Sequence, residues 1–347
     1  MKGFPYDLRV RLSDDVPRDG QFTVMKRIPM YDGAETHTVN AAMPQAKPSL
    51  RFTVLNMEHG YRNKELIPFL KTCPDLKDTD VIFANELDDG TFRSGNIDSA
   101  KEIGEALGMN YTYGLEFIEL VDSRDDKGYE GNAVMSRYPI VRADVLHMPE
   151  AYNWYFDSQK RIGARVAVFA ELDVNGTHIG AVSIHLENRT TPAGRAVQIA
   201  AILQKAEAFF GDIPVVMGGD YNFNTFGYYV PETVDGFLAD AARGIFRDPD
   251  QYEGSFALYR AAGYDYEHFN GKHICTRRTS LKGMDVALHI DWIFAKGMTC
   301  LSNGLVSTST EDCKKWAPAG SPILAYDGKQ LSDHNSVWAE CKIASVQ

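Results

Sequence analysis

Apolar runs of strand length recur along this chain, and at least five of them end abruptly in a carboxylate, an amide or an imidazole. In the clearest case, Val215-Val216-Met217 passes through Gly218-Gly219 into Asp220-Tyr221-Asn222. Near the C-terminus, Ser332-Asp333-His334-Asn335 abuts the apolar run that begins at Ser336. A strand end holds a side chain rigidly while leaving its tip open to solvent. Repeated clusters of this kind confine the chain to a sheet-based fold whose strand ends carry the chemistry.

The rhythm starts after a polar, turn-rich segment, residues 1–48, which reads as an N-terminal extension with one or two strands or an edge hairpin. Strands are expected at 50–56, 81–87, 111–120 and 132–136, with helices at 63–70 and 96–107. Asn96 reads as the N-cap of the second helix and Gly108 as its stop. Asn175-Gly176 between apolar runs at 164–174 and 178–187 predicts a hairpin. Thr191 followed by Pro192 predicts a capped helix to about residue 210, with Ala196, Ile199, Ala200 and Leu203 on one face. Strands at 215–222, 290–295 and 336–343 complete the series. Strands dominate and helices enter singly, which favours two packed mixed sheets with helices outside over a regular βαβ repeat. Residues 223–288 interrupt the rhythm with aromatics, among them Phe226, Tyr228, Tyr229, Phe256, Tyr259 and Tyr266. They read as an inserted helical lobe with a small core of its own, as a substrate-facing cap, or as both. The whole, 1–347, is taken as one domain.

The net charge, 36 − 47 = −11, argues against sequence-independent, high-affinity duplex binding, which depends on Lys and Arg neutralising phosphates. A local basic groove remains compatible with it. Five cysteines (Cys73, Cys275, Cys300, Cys313, Cys341) form no CxxC, which leaves zinc-ribbon and thioredoxin-like readings without support. Their odd count fits reduced thiols, with a Cys300–Cys313 bridge open to an exported chain. No apolar run approaches membrane-spanning length. Met1-Lys2-Gly3-Phe4-Pro5-Tyr6-Asp7 lacks a signal-peptide core, so the expected compartment is the cytoplasm, or the exterior if a signal was removed.

Each cluster has a plain structural reading and a chemical one. Asn56 and Glu58 alternate onto one side of a strand, as a strand-end cap or as hard-oxygen ligands to a cation. Glu86 follows four apolar residues, as an edge charge or as a ligand of the kind Mg²⁺ prefers. Asp88 and Asp89 read as surface turn residues. His185, Glu187 and Asn188 leave one strand end together. Asp220 and Asn222 share a face, and Gly218-Gly219 lets the backbone pass close to a neighbour. Asp291 lies inside an apolar strand and requires a partner. An imidazole is the obvious type, and His334 has its own acidic neighbour, Asp333. A carboxylate behind a histidine fixes its tautomer and favours the cation, which can stabilise charge growing on a phosphoryl group. Arg161, Arg165, Arg189 and Arg195 read mostly as solvated, with one or two available to phosphate.

In this order, Asn56/Glu58, Glu86, Gly131-Asn132-Ala133-Val134-Met135-Ser136-Arg137, His185…Asn188, Gly219-Asp220-Tyr221-Asn222, His289-Ile290-Asp291 and Ser332-Asp333-His334 resemble the endonuclease/exonuclease/phosphatase superfamily, from about residue 50 to 343. The resemblance implies a four-layer α/β sandwich, DNase I-like. It implies that Glu86 is the central Mg²⁺ ligand (Mn²⁺ as an alternative), with Asn56, Glu58 and Asp333 completing or adjoining the site. By the same resemblance, Asp220 orients or deprotonates the attacking water. Asn222 and His185 hold phosphoryl oxygens, with His185 available as leaving-group acid, and Asp291 supports His334, which contacts the scissile phosphate. The chain departs from the family at Asn85-Glu86, where Gln-Glu is usual, and at Asp220-Tyr221-Asn222, where Phe or Leu is usual. The expected activity is Mg²⁺-dependent phosphoester hydrolysis on a small phosphoester or phospholipid head group. A DNA or RNA nuclease is the alternative, and a non-catalytic binding module on the same scaffold is a third reading that the intact set of acidic and histidine residues disfavours.

Overall fold

A computed structural model describes residues 1–28, 30–223, 244–281 and 283–344, with positions 236 and 239 in isolation. Phe226, Tyr228 and Tyr229 therefore lie outside the described residues. The chain opens with helices α1 (Tyr6–Asp19) and α2 (Gln21–Met25) and a short strand β1 (Ala34–His37). The core begins with β2 (Leu50–Asn56), α3 (Asn63–Thr72), β3 (Val81–Asp89), α4 (Ser99–Leu107), β4 (Asn110–Glu119) and β5 (Tyr129–Ser136). It continues through β6 (Ile140–His147), β7 (Arg161–Gly163), β8 (Val166–Val174), β9 (Thr177–His185), α5 (Pro192–Phe210) and β10 (Val215–Asp220). Helix α6 (Ser255–Ala261), hairpin β11 (Arg277–Leu281) and β12 (Met284–Leu288), then β13 (Asp291–Lys296), β14 (Met298–Val306) and β15 (Ser336–Ile343) follow.

The strands form two large mixed sheets. One runs β1-β4-β5-β3-β2-β15-β14, with β7 beside β4; the other runs β13-β10-β9-β8-β6. Alternating side chains of β2, β3 and β5 (Phe52, Val54, Phe83, Val134) meet Val166, Val168, Ala181, Val216 and Ile293 of the other sheet in a dry core. Fully burying each of these large apolar side chains contributes roughly 1.5–3 kcal/mol. The outer face of the first sheet is covered by α3 and α4 through Leu66, Phe69, Leu70 and Ile103. The outer face of the second is covered by α5 and α6 through Ile199, Ile202, Phe210, Phe256 and Tyr259. Four layers, α/β/β/α, result.

Two crossovers position the site. β2 and β3 are parallel and joined through α3; β9 and β10 are parallel and joined through α5. Parallel strands place their carboxyl ends at one edge, where α/β sheets bind ligands. Asn56, Glu86, His185 and Asp220 are delivered there. The two glycines allow close backbone approach, Gly218 between the two sheets and Gly219 between neighbouring strands β10 and β9 of one sheet. A Cβ on Gly218 would meet the Phe83 ring at 2.3 Å, and one on Gly219 (φ +153°) would meet the Ile184 carbonyl oxygen at 1.8 Å.

Several local expectations shift. Residues 1–28 hold two helices rather than strands. The buried face of α1 is Arg9, Leu12 and Val16, and a guanidinium inside it masks the apolar stripe. Arg9 is held there by the Glu119 carbonyl at 3.0 Å and Asp125 at 3.2 Å. Asp98, not Asn96, caps α4 by accepting from the Lys101 N–H; Asn96 has φ +57° and braces the 124–126 loop instead. Thr191 does cap α5, but its buried face is Arg195, Gln198, Ile199, Ile202 and Ala206, set by the buried Arg195–Glu253 ion pair. Asn175 (φ +53°) and Gly176 (φ +88°) make the tight hairpin turn. Phe256, Tyr259, Tyr264 and Tyr266 join the layer over Trp292 and Phe294 rather than forming a core of their own. All five cysteines are free thiols; Cys300 faces Cys341 across β14 and β15, so the Cys300–Cys313 bridge is not formed. Among the described residues no helix is long and apolar enough to cross a membrane.

His147 locks the N-terminal segment to the first sheet. Its ring stacks on Tyr31 at 3.5 Å, and its Nε2 lies 2.8 Å from the Leu115 carbonyl oxygen. Burial pushes its pKa down to about 4, against support from the Leu115 carbonyl. The unfolded chain therefore takes up this proton first. Stability is full above the ordinary value of 6.5 and falls as pH drops toward 4, by at most about 3 kcal/mol from this residue. Denaturant titrations across that interval should give a shallower pH slope for His147→Gln than for the parent; identical slopes would contradict the assignment.

Candidate active site

Asp220 ends β10 at the meeting point of the two sheets. Its backbone N–H donates to Asn85 Oδ1 at 2.9 Å, and its Oδ1 accepts from the Asn222 N–H at 2.9 Å. Three groups converge on the other oxygen, Oδ2: Asn56 Nδ2 at 3.2 Å, His334 Nε2 at 3.6 Å and His185 Nε2 at 3.7 Å. Each imidazole is backed by a buried carboxylate. Asp291 Oδ2 lies 2.8 Å from His334 Nδ1, and Glu116 Oε2 lies 3.3 Å from His185 Nδ1.

Burial disfavours charge on both rings, but the carboxylates outweigh it. Asp291, then Asp220 and Asp333, push His334 up to about 10, and Glu116 and Asp220 raise His185 against burial and the Arg165 charge. His334 is thus a cation at neutral pH.

Glu86 sits in a bulge of β3, where the register against β5 shifts between Ala84 and Leu87. The bulge, with φ +52° at Glu86, turns Asn85 into the sheet interface and Glu86 into the cleft. Asn85 Nδ2 reaches the Ile184 carbonyl at 3.1 Å and Asn132 Oδ1 at 3.3 Å, so one short amide ties the two sheets together. Burial opposes ionisation of Glu86, but His59 and His185 hold its carboxyl down at about 2. Asn56 Nδ2 donates to Glu86 Oε1 at 3.0 Å, while the two imidazoles stand off at 3.6 and 3.9 Å. This leaves lone pairs of Glu86 directed into the cleft, with 21 % of the side chain exposed.

Glu58 and Asp333 close the mouth. Glu58 Oε2 accepts from Arg62 and from the Asp333 N–H, and Asp333 Oδ2 accepts from Arg277 at 2.8 Å. Asn222, buried beside Asp220, donates from Nδ2 to the Leu186 carbonyl at 2.9 Å. Non-glycine residues with left-handed backbone cluster here: Glu58, His59, Glu86 and Asn222 all have φ between +47° and +61°. Such conformations persist only where the surroundings over-determine them, and they concentrate at functional sites.

All nine residues singled out in the sequence (Asn56, Glu58, Glu86, His185, Asp220, Asn222, Asp291, Asp333, His334) belong to this one cleft, linked through the contacts above. Sequence reasoning missed Asn85, His59, Glu116 and Arg277. Glu116 carried a signal, since it interrupts the apolar run Leu115, Phe117 and Ile118. Asp88 and Asp89 are buried rather than surface turns: Asp88 binds Arg93 at 2.7 Å, and Asp89 binds Lys127 at 2.8 Å. Arg161, Arg165 and Arg195 are buried, not solvated; Arg165 pairs with Glu116 at 2.7 Å and Arg161 with Glu130 at 2.6 Å.

Glu86, His185 and Asp220 bring ligand atoms within 4.8 Å of one another, so they could hold a metal ion, and the group contains no sulfur.

Two mixed sheets stacked between helices, with carboxylates and imidazoles at their shared strand-end edge, define a DNase I-like α/β sandwich. The chain belongs to the endonuclease/exonuclease/phosphatase family, whose profile matches residues 54–334. No curated protein matches it in sequence. Among solved structures it is similar to the endonuclease/exonuclease/phosphatase from Beutenbergia cavernae (16 % identity, TM-score 0.56, covering 86 % of this chain and 72 % of that one). It is also similar to a humanized D. rerio TDP2 (18 %, TM-score 0.50, covering 85 % and 100 %) and to the human Nocturnin catalytic domain (14 %, TM-score 0.50, covering 87 % and 97 %). At these identities the likeness is one of fold.

Two outcomes follow from the geometry. Asn85→Leu strips the Asp220 N–H and the Ile184 carbonyl of their partners and should destabilise the chain by about 2–4 kcal/mol in urea titration; an unchanged midpoint would contradict the clasp. In NMR titrations with EDTA, His334 should stay protonated well past neutrality, and Asp291→Asn should lower its pKa; coincident curves would refute the pairing.

Proposed function

We propose that the chain is a divalent-metal-dependent phosphoesterase that hydrolyses a P–O bond by direct attack of water. The observation that carries this reading is the convergence of one amide and two carboxylate-backed imidazoles on a single oxygen of Asp220. Phosphoryl transfer needs positioning and charge neutralisation more than a covalent nucleophile, and the cleft offers both.

In this reading Asp220 orients the water and takes its proton as the new P–O bond forms. His334, kept cationic by Asp291, faces the non-bridging oxygens and balances their growing charge. Asn222 and His185 hold phosphoryl oxygens, and His185 donates a proton to the leaving oxygen as the old P–O bond breaks. Asn56 keeps Asp220 and Glu86 in register with each other. Glu86, with Asn56, Glu58 and Asp333 near it, would hold Mg²⁺ or Mn²⁺. When bound, such an ion supplies Lewis-acid charge neutralisation at the phosphoryl group.

The acidic chain, at −11, favours a small phosphoester or a phospholipid head group over duplex DNA as substrate. A nuclease is the second reading. It is favoured by Tyr61, 43 % exposed beside the His59 ring, since exposed aromatic faces stack bases.

A panel of p-nitrophenyl phosphate, its bis-ester, sphingomyelin and plasmid DNA, with Mg²⁺ or with EDTA, tests both. Metal-dependent release from an ester or head group supports the first reading; robust plasmid nicking reverses the order; no turnover of any member contradicts both. Asp220→Asn and His334→Ala should each lower kcat by at least ~100-fold with the fold intact. Glu86→Gln should chiefly raise the metal concentration needed for half-maximal activity. A parent-like kcat, or a parent-like metal titration, would refute the role of the residue concerned.

A further inference from the structure

We infer that Arg277, carried on the β11–β12 hairpin, is a substrate-binding residue that grips the phosphoryl group from the open side of the cleft. The inference deepens the phosphoesterase reading and rests on it for the identity of the ligand.

The hairpin is a separate two-stranded sheet, but its base is fixed to the catalytic loops. Asn335 donates its N–H to the Thr276 carbonyl at 2.7 Å and its Nδ2 to the Cys275 carbonyl at 3.0 Å. Thr276 Oγ1 accepts from the N–H groups of Ile290 and Asp291 at 3.0 and 3.2 Å. The backbone of Arg277 forms a bridge with His334. Its guanidinium therefore leaves from a rigid point directly beside the imidazole that faces the cleft.

Competing cations are already committed. Arg165 is shared among Glu116, Glu187 and Asn188, and Arg93 among Asp88, Glu119 and Glu130. Arg62 holds Glu58 and the Tyr326 hydroxyl. Among the described residues Arg277 makes one side-chain hydrogen bond, from Nη2 to Asp333. It keeps 31 % of its side chain exposed. A guanidinium with a spare edge matches the paired oxygens of a phosphoryl group. Asp333 then acts as the rest that aims Arg277 across the cleft.

The test uses the full chain with Mg²⁺ and inorganic phosphate as the probe, by calorimetry. The parent should bind phosphate, Arg277→Gln about tenfold more weakly or worse, and Arg277→Lys in between. On any ester the parent hydrolyses, Arg277→Gln should raise KM more than it lowers kcat, with the Mg²⁺ requirement and thermal midpoint near parental. If Arg277 merely neutralises Asp333, the variant will shift the Mg²⁺ requirement or the midpoint and leave phosphate affinity unchanged, which overturns the inference. Absence of phosphate binding by the parent overturns it too. Phosphate binding that depends on Arg277 in a chain that hydrolyses no ester would sink the hydrolase reading and leave this one standing.

Discussion

The hydrogen bond from the Asp220 N–H to Asn85 Oδ1 is the contact on which the site depends. Asn85 belongs to one sheet and Asp220 to the other. That tie, with Asn56 Nδ2 donating to Asp220 and Ser183 Oγ donating to the Ala84 carbonyl, sets the strand ends of β2 and β3 against those of β9 and β10. Gly218 allows the tie because it lets the sheets approach where a Cβ would collide with the Phe83 ring. The bulge at Asn85-Glu86 completes it by sending two consecutive side chains to opposite tasks, one to join the sheets and one to face solvent. Where the family usually has Gln before Glu, the shorter Asn is long enough because the backbones already lie close.

Around that joint the molecule balances charge. Carboxylates and imidazoles alternate outward from Asp220 through His334 to Asp291 and through His185 to Glu116. Behind them, Arg165 and Arg161 meet Glu116 and Glu130 in full burial. A buried charge without a partner is costly, so each member requires the next. The result is a rigid array in which the Glu86 carboxylate and the Arg277 guanidinium keep part of their surface exposed. Rigidity of this kind is what lets fixed dipoles and charges stabilise a transition state without reorganising.

Much of the fold and the site was legible in the sequence because both depend on local pattern. Apolar runs at strand length located the core strands, Asn175-Gly176 marked the hairpin, and Thr191-Pro192 marked the start of α5. The polar clusters at strand ends named the residues that share the cleft. What was not legible depends on partners far away in sequence. Arg9 looks solvated until Glu119 and Asp125 are placed beside it, so α1 read as turn and strand. Asp88 looks like a turn until Arg93 folds over it. The buried face of α5 is set by Glu253, 58 residues from Arg195. Arg277 gives no local sign at all; only the bridge to His334 puts it in the cleft.

We propose that side chains from both sheets build one pocket for a divalent ion at Glu86. Anomalous diffraction from crystals soaked in Mn²⁺ tests it most directly. A strong peak is expected within bonding distance of a Glu86 carboxylate oxygen, in the cleft bounded by Asp220 and His334. A peak elsewhere on the surface, or none at Glu86 in a catalytically active preparation, would contradict it.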